Sequence, residues 1–283
     1  MIDVYIITNE DLDRQELMKN QINNLKLEFR KLAKDVNIFW IRSQDFISLE
    51  PISVRLLFKT QIIRMVHDYN FSRYREFSKT LIIHNLMFEI ARQIVIWFKP
   101  HRIKKIKYFM KIQKIVNYKH DFVLRMIANS HVENALVLED DAIFCDLNQF
   151  VNELTNLSEI HSDKFVNLAN VVTIENLCIN KLITERRSSE LYLKKPITNG
   201  LCAYFINRRF ASSMLKERLT NNNFDYLPCD FAFNELFLRL YSSKNSSQSP
   251  FYSKIYKIPL VEHGSQSLFL DKSVSSILND EPI

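Results

Sequence analysis

Glu139, Asp140 and Asp141 are three consecutive carboxylates that directly follow the apolar run Ala135-Leu136-Val137-Leu138. A short apolar run of this kind reads as a buried strand. The acidic triplet therefore stands at a strand's C-terminal end, where open α/β sheets bind their ligands. Carboxylates this close repel one another and need a compensating cation or hydrogen-bond donors. Their hard oxygens suit Mg²⁺ or Mn²⁺, and an ion held there is well placed to bridge to a diphosphate. Two plainer readings compete, a solvated acidic turn and a set of carboxylates stabilising a helix N-terminus. An EF-hand is excluded, because the alternating acidic positions and central glycine of that loop are missing.

The rest of the composition removes other chemistries. The 283 residues contain only two glycines, Gly200 and Gly264, so neither a dinucleotide-binding GxGxxG nor a phosphate-binding GxxxxGK[ST] loop is present. Cys145, Cys178, Cys202 and Cys229 form no CxxC pair and are expected to be buried, reduced thiols. The hydrophobic share of 47% and charged share of 25% are those of an ordinary folded domain. Leu81 to Phe98 is interrupted by His84, Asn85, Glu89, Arg92 and Gln93, so no membrane span is expected. The opening residues Met1 to Ile7 lack a cationic, secretory-type leader, which points to a cytoplasmic location.

Charge divides the chain in two. Residues 51–120 hold 15 Lys and Arg against Asp68, Glu76 and Glu89, a balance of +12, while the remainder holds 23 basic and 29 acidic residues, a balance of −6. A basic insert in a mildly acidic body suggests an anionic neighbour. Within it, Ile83, Leu86, Met87, Ile90, Ile94 and Phe98 share one helical face. After Pro100, a first-turn proline, come Ile103, Ile106, Phe109, Met110 and Ile112 interleaved with Lys104, Lys105, Lys107, Lys111 and Lys114. A lysine-flanked apolar stripe suits an anionic bilayer interface. The same stripe can instead pack on the body. Nucleic acid is not expected as a partner, since no recognition module is present.

The elements that must position these residues alternate. Val4 to Thr8 reads as a buried strand, Asp11 caps a helix carrying Leu12, Leu17, Met18, Ile22 and Leu25, and Val36 to Ile41 reads as a second strand. After the insert, a short helix is expected over Asp121 to Ser130 and a strand over Ala135 to Leu138. Ala142 to Phe144, a helix from Asp146 to Leu157 and a strand from Phe165 to Ala169 follow. Leu201 to Ile206 is a strand, Arg208 to Leu219 and Asp230 to Tyr241 are helices, Ser242 to Pro250 is a polar loop, and Lys254 to Val261 is the last strand. The economical fold is α/β, one domain over 1–283, with a mixed, mostly parallel sheet flanked by helices and a basic helical insert at 51–120.

Ala135-Leu136-Val137-Leu138-Glu139-Asp140-Asp141-Ala142 resembles the acidic motif of glycosyltransferase family 25, the lipopolysaccharide and lipooligosaccharide biosynthesis transferases. Gly200 with Ala203-Tyr204-Phe205-Ile206-Asn207-Arg208 and Ala211 resembles the family's later strand-and-helix segment, although Asn207 and Phe210 stand where members often have Ser and Gly. Leu227-Pro228-Cys229-Asp230 resembles its Pro-x-Asp-type segment. Ile258-Pro259-Leu260-Val261 with Ser265 to Ser267 resembles its C-terminal end. Asp11-Leu12-Asp13-Arg14 with Met18 is a weaker match. Of the family's Gly-Cys-x-x-Ser-His-type segment, only the histidine survives, as His120, and the basic insert is longer than the family's corresponding stretch.

The resemblance implies a GT-A-like fold and transfer of a hexose, galactose first among the expectations, from a UDP-sugar to a lipooligosaccharide acceptor with inversion. It implies Mn²⁺ or Mg²⁺ as cofactor and a cytoplasmic enzyme peripheral at the inner membrane; the charge of the 51–120 insert is what points to an anionic membrane surface. In that scheme Asp141 contacts the metal, and Glu139 and Asp140 serve the nucleotide or support the metal from behind. Asp230 is the catalytic base or, more plainly, a helix N-cap. His263 is a late metal ligand or a surface histidine. Tyr204 is a sugar-stacking platform or a core residue, and Arg14 meets a phosphate or lies exposed on its helix. The competing class is a non-catalytic peripheral membrane or scaffold protein on a transferase-like fold.

Overall fold

The computed structural model describes residues 1–9, 11–42, 52–53, 55–57, 59–63, 87, 91, 99–169, 183–198, 200–220, 224–242 and 251–264. The expected helix over Leu81 to Phe98 lies almost wholly outside the described residues, as do 243–250 of the serine-rich loop and Ser265 to Ser267.

Strand β1 (Ile2–Ile7) is buried at every position, and it pairs in parallel with β2 (Val36–Ile41) on one side and β3 (Asn134–Glu139) on the other. Between β1 and β2 runs α1 (Leu12–Lys31). The Asp11 carboxylate accepts from the backbone N–H of Asp13 and Arg14, at 3.1 and 3.2 Å, which stops the orphan amides of the first turn from going unpaired. The buried stripe of α1 is Met18, Ile22, Leu25 and Phe29, while Leu12 and Leu17 stay exposed.

Beyond β3, strand β8 (Ala203–Asn207) runs antiparallel to both β3 and β5 (Asp163–Asn167). The sheet continues through β10 (Lys254–Tyr256) to the hairpin of β7 (Glu190–Leu193) and β6 (Ile183–Arg186). A short β9 (Phe251–Tyr252) pairs with β5. Among the described residues the sheet order is β2-β1-β3-β8-β5-β10-β7-β6, a mixed sheet flanked by helices, parallel through β2-β1-β3 and antiparallel on both sides of β8. The expected strand from Lys254 to Val261 is two strands. β10 joins the large sheet, while β11 (Val261–His263) pairs antiparallel with β4 (Ala142–Phe144) in a separate two-stranded ribbon.

Alternate side chains of the central strands point to opposite faces. Val4, Ile6, Leu136, Leu138 and Phe205 meet α1 and α3 (Leu147–Glu159) through Met18, Leu25, Phe150 and Leu154. On the other face Tyr5, Ile7, Val137, Tyr204 and Ile206 meet three helices. These are α2 (Pro100–Asn129), α4 (Arg208–Leu219) and α5 (Cys229–Ser242), contributing Val123, Leu124, Ile127, Phe210, Met214, Phe233 and Phe237.

Helix α2 corrects the sequence reading in one respect. It is one 30-residue helix that absorbs the separate helix expected over Asp121 to Ser130. The apolar stripe at its start packs in part on the body, one of the two alternatives its pattern left open. Ile103, Ile106 and Met110 pack with Ile52, Leu56, Leu57 and Tyr226, while Lys104 and Lys105 remain exposed. No helix of the described residues is long and apolar enough to cross a membrane. Cys202 and Cys229 are buried thiols as expected, Cys145 is exposed, and Cys178 lies outside the described residues.

Candidate active site

The acidic triplet is fastened at three points by its backbone. Glu139 N–H donates to the Cys202 carbonyl (2.8 Å), Asp140 N–H to the Ile7 carbonyl (3.0 Å), and the Asp141 carbonyl accepts from Gly264 N–H (2.7 Å). The triplet therefore sits where the end of β1, the lead into β8 and the end of β11 converge. Pairing of β11 with β4 sets His263 opposite Ala142. That register carries a residue 122 positions away to Asp141, with His263 Nδ1 3.4 Å from Asp141 Oδ2. Glu139, Asp141 and His263 each offer a ligand atom, and these atoms all lie within 4.8 Å of one another.

Cations come from two helices. The Asp11 cap fixes the first turn of α1, and Arg14 in that turn reaches Asp141 (3.6 Å) and Asp140 (3.8 Å) while staying 3.6 Å from Asp11. The buried Lys119 of α2 donates through Nζ to the Thr8 carbonyl (2.8 Å) and to Asn9 Oδ1 (3.0 Å). Asn9 in turn donates its backbone N–H to Asp140 Oδ2. His120, next in α2, is also buried. Its Nε2 lies 3.1 Å from Glu139 Oε1 and its Nδ1 3.1 Å from the Tyr204 hydroxyl.

These contacts do not neutralise the triplet evenly. Burial pushes the Asp140 carboxyl up to about 6, with the charges of Asp141 and Glu139 adding to the effect and the Asn9 amide and Arg14 holding it back. Asp141 is also raised, by burial first and then by Glu139, against the opposing pull of His263 and Arg14. Glu139 goes the other way. Burial would raise it, but the hydrogen bond and charge of His120, with His263 and Lys119 behind them, hold it below the ordinary carboxylate range. Two of three carboxylates thus remain short of positive charge.

The triplet opens onto a cavity of about 340 Å³. Arg14, Glu139, Asp140, Asp141, Asp230 and His263 all line it, so one cavity collects six of the seven residues singled out from sequence. Asp230 arrives from α5, whose first residue is Cys229. It lies within the first turn and not at the cap position. Tyr204 is the exception. It is wholly buried behind His120, packed on Phe165 and Phe233, and does not line the cavity, so it cannot stack on a ligand there.

Sequence reasoning assigned no role to Lys119 or His120. A signal was present, because Ile112, Val116, Lys119 and Val123 fall at helical spacing on one stripe, so that a lysine interrupts an apolar face. Phe109, Ile112, Gln113 and Val116 of the same helix supply a largely apolar wall of the cavity.

Two carboxylates and an imidazole are a donor set for a divalent cation, and mixed oxygen and nitrogen ligation favours Mn²⁺ over the oxygen-preferring Mg²⁺. The uneven compensation of the triplet fits a further cation at this place. No family model and no curated protein matches the chain.

Proposed function

We propose that the chain is a metal-assisted glycosyltransferase that moves a hexose, galactose first among the candidates, from a UDP-sugar to a lipooligosaccharide or lipopolysaccharide acceptor with inversion. One observation carries the reading. A single cavity at the C-terminal ends of β1 and β3 gathers a divalent-cation donor set, two further cations and a separate carboxylate, Asp230. The mixed α/β sheet flanked by helices is compatible with a GT-A-like fold.

Glu139, Asp141 and His263 would hold Mn²⁺ or Mg²⁺, which when bound neutralises charge on the departing nucleoside diphosphate. Arg14 and Lys119 add fixed positive charge beside it, already ordered by Asp11 and by Thr8 and Asn9, so little reorganisation is needed as charge develops. Asp140 anchors the Asn9 backbone and thereby keeps the end of β1 against the site. Asp230, entering from α5, takes the proton of the acceptor hydroxyl, as single displacement requires of a base distinct from the leaving-group site. Phe109, Ile112 and Val116 limit water at the reacting centre. A peripheral position at an anionic membrane surface, through the exposed Lys104 and Lys105 of α2, belongs to the same proposal.

The test is UDP release from a panel of UDP-hexoses with lipooligosaccharide as acceptor, with and without Mn²⁺, for the wild type and Asp141→Ala. Turnover that requires the metal and disappears in the variant is expected. Turnover indifferent to both metal and variant would overturn the reading.

A further inference from the structure

Glu139 lines the cavity, yet one of its oxygens is bound from behind by a side chain that does not reach the cavity. His120 and Tyr204 are both 0% exposed, and together they form a chain of two 3.1 Å contacts, from the Tyr204 hydroxyl to His120 Nδ1 and from His120 Nε2 to Glu139 Oε1. Its direction is fixed at the Glu139 end. An ionised carboxylate can only accept, so Nε2 carries the proton. At the other end the Tyr204 hydroxyl, which both donates and accepts, pairs with Nδ1 in either protonation state of the ring. Burial holds the Tyr204 hydroxyl well above its ordinary value, so it stays protonated beside the ring.

The ring cannot easily turn out of this arrangement. His120 stacks on Tyr204 with centroids 5.8 Å apart and planes at 28°, and Phe233 meets it edge-on at 5.7 Å and 77°. Phe165 stacks on the far partner, Tyr204, at 5.3 Å. A carboxylate offers four lone-pair sites on two oxygens, so accepting from His120 leaves Glu139 able to bind a cation.

We propose that the buried His120–Tyr204 pair positions Glu139, fixing its carboxylate in the orientation in which it joins Asp141 and His263 around a divalent cation. This rests on the metal-centre reading of the cavity and extends it to two residues that never touch the ion. Hydrogen-bonded partners behind metal ligands characteristically change affinity 10- to 100-fold when removed. Both residues are positioning residues in this assignment.

The experiment is a Mn²⁺ titration of the full chain, with free Mn²⁺ read by electron paramagnetic resonance, alongside thermal melts in EDTA. It compares wild type, Tyr204→Phe, His120→Leu and His120→Gln, with Asp141→Ala as the ligand control. Tyr204→Phe keeps the ring stack and removes only the hydroxyl. It is expected to melt near the wild type and to weaken Mn²⁺ binding about 10-fold. His120→Leu is expected to weaken it further, and His120→Gln, whose amide can still donate to Glu139, to recover much of the loss. Variants that bind Mn²⁺ with the wild-type Kd would overturn the inference and leave the metal centre standing. So would Leu and Gln variants that lose affinity and melting temperature alike, since that is a packing effect. A wild type that binds no Mn²⁺ would overturn the metal centre and the inference together.

Discussion

Asp140→Asn is expected to stabilise the metal-free protein at neutral pH, and to do so less as the pH falls. The Asp140 carboxyl is 2% exposed, next to Asp141 and Glu139, and is pushed from 3.8 to about 6. A carboxyl raised on folding contributes stability that is fully present below its unfolded value and is lost as pH rises through its folded value. The shift corresponds to about 3 kcal/mol of penalty at pH 7.5, at 1.36 kcal/mol per unit. Roughly half of that remains at pH 5, and little at pH 4. Asparagine keeps the shape and the oxygen that accepts from Asn9 N–H, but carries no charge. The assay is urea unfolding of both proteins in EDTA at pH 7.5, 5 and 4. The variant should be more stable by on the order of 2–3 kcal/mol at pH 7.5, with the gap shrinking by about half at pH 5. A gap that is absent, or that grows on acidification, would refute the argument that the triplet is under-compensated without metal.

Other perturbations test the supports of the site. Ala33 follows α1 at φ 51°, with its own N–H on the Arg30 carbonyl and Lys34 N–H on that of Phe29. This left-handed position favours glycine, so Ala33→Gly should raise stability by about 0.5–1 kcal/mol in urea titration without altering Mn²⁺ affinity. Asn117, buried in α2, donates through Nδ2 to the carbonyls of Leu227 (2.7 Å) and Asp225 (2.9 Å), in the segment leading to Asp230. Asn117→Ala should cost about 2–3 kcal/mol in the same titration. It should also lower UDP release under conditions where the variant is fully folded. For the membrane proposal, Lys104→Gln with Lys105→Gln should weaken sedimentation with anionic vesicles at low salt roughly 30-fold, at about 1 kcal/mol per lysine. Equal binding of both proteins, or equal binding to neutral vesicles, would count against that surface.

Much of the fold was legible along the chain because the signals are local. Asp11 caps α1 through its own first turn, Asp146 caps α3, and Asn207 caps α4, each by a contact within three residues. The runs of β1 and β3 are nearly all apolar because both faces of the sheet are covered there, whereas β2, at the end of the strand order, carries exposed Asn37. The division of α2 at Asp121 was misplaced because the charge pattern changes there while the buried stripe does not. Ile112, Val116, Lys119, Val123 and Ile127 keep one helical spacing across Asp121, with Lys119 the polar member of the row. The β6–β7 hairpin was missed because Ile183–Arg186 is largely exposed and polar, and gives little strand pattern to read.

The sequence by itself determined the chemistry available at the site: three adjacent carboxylates at a strand end, an arginine beside a capping aspartate, and a further aspartate at the start of another helix. Residue type and local spacing set these things, and both are written along the chain. Only the tertiary structure decided which groups meet. Ribbon register brings His263 to Asp141, and α2 lies across the sheet so that Lys119 and His120 reach the ends of β1 and β3. Tyr204, which the sequence offered as a platform for sugar, became the buried support of His120 because alternation along β8 turns it towards α2 and α5. Those pairings span 19 to 122 residues, and a contact over such a distance is fixed by strand register and helix packing, which no local window of sequence contains.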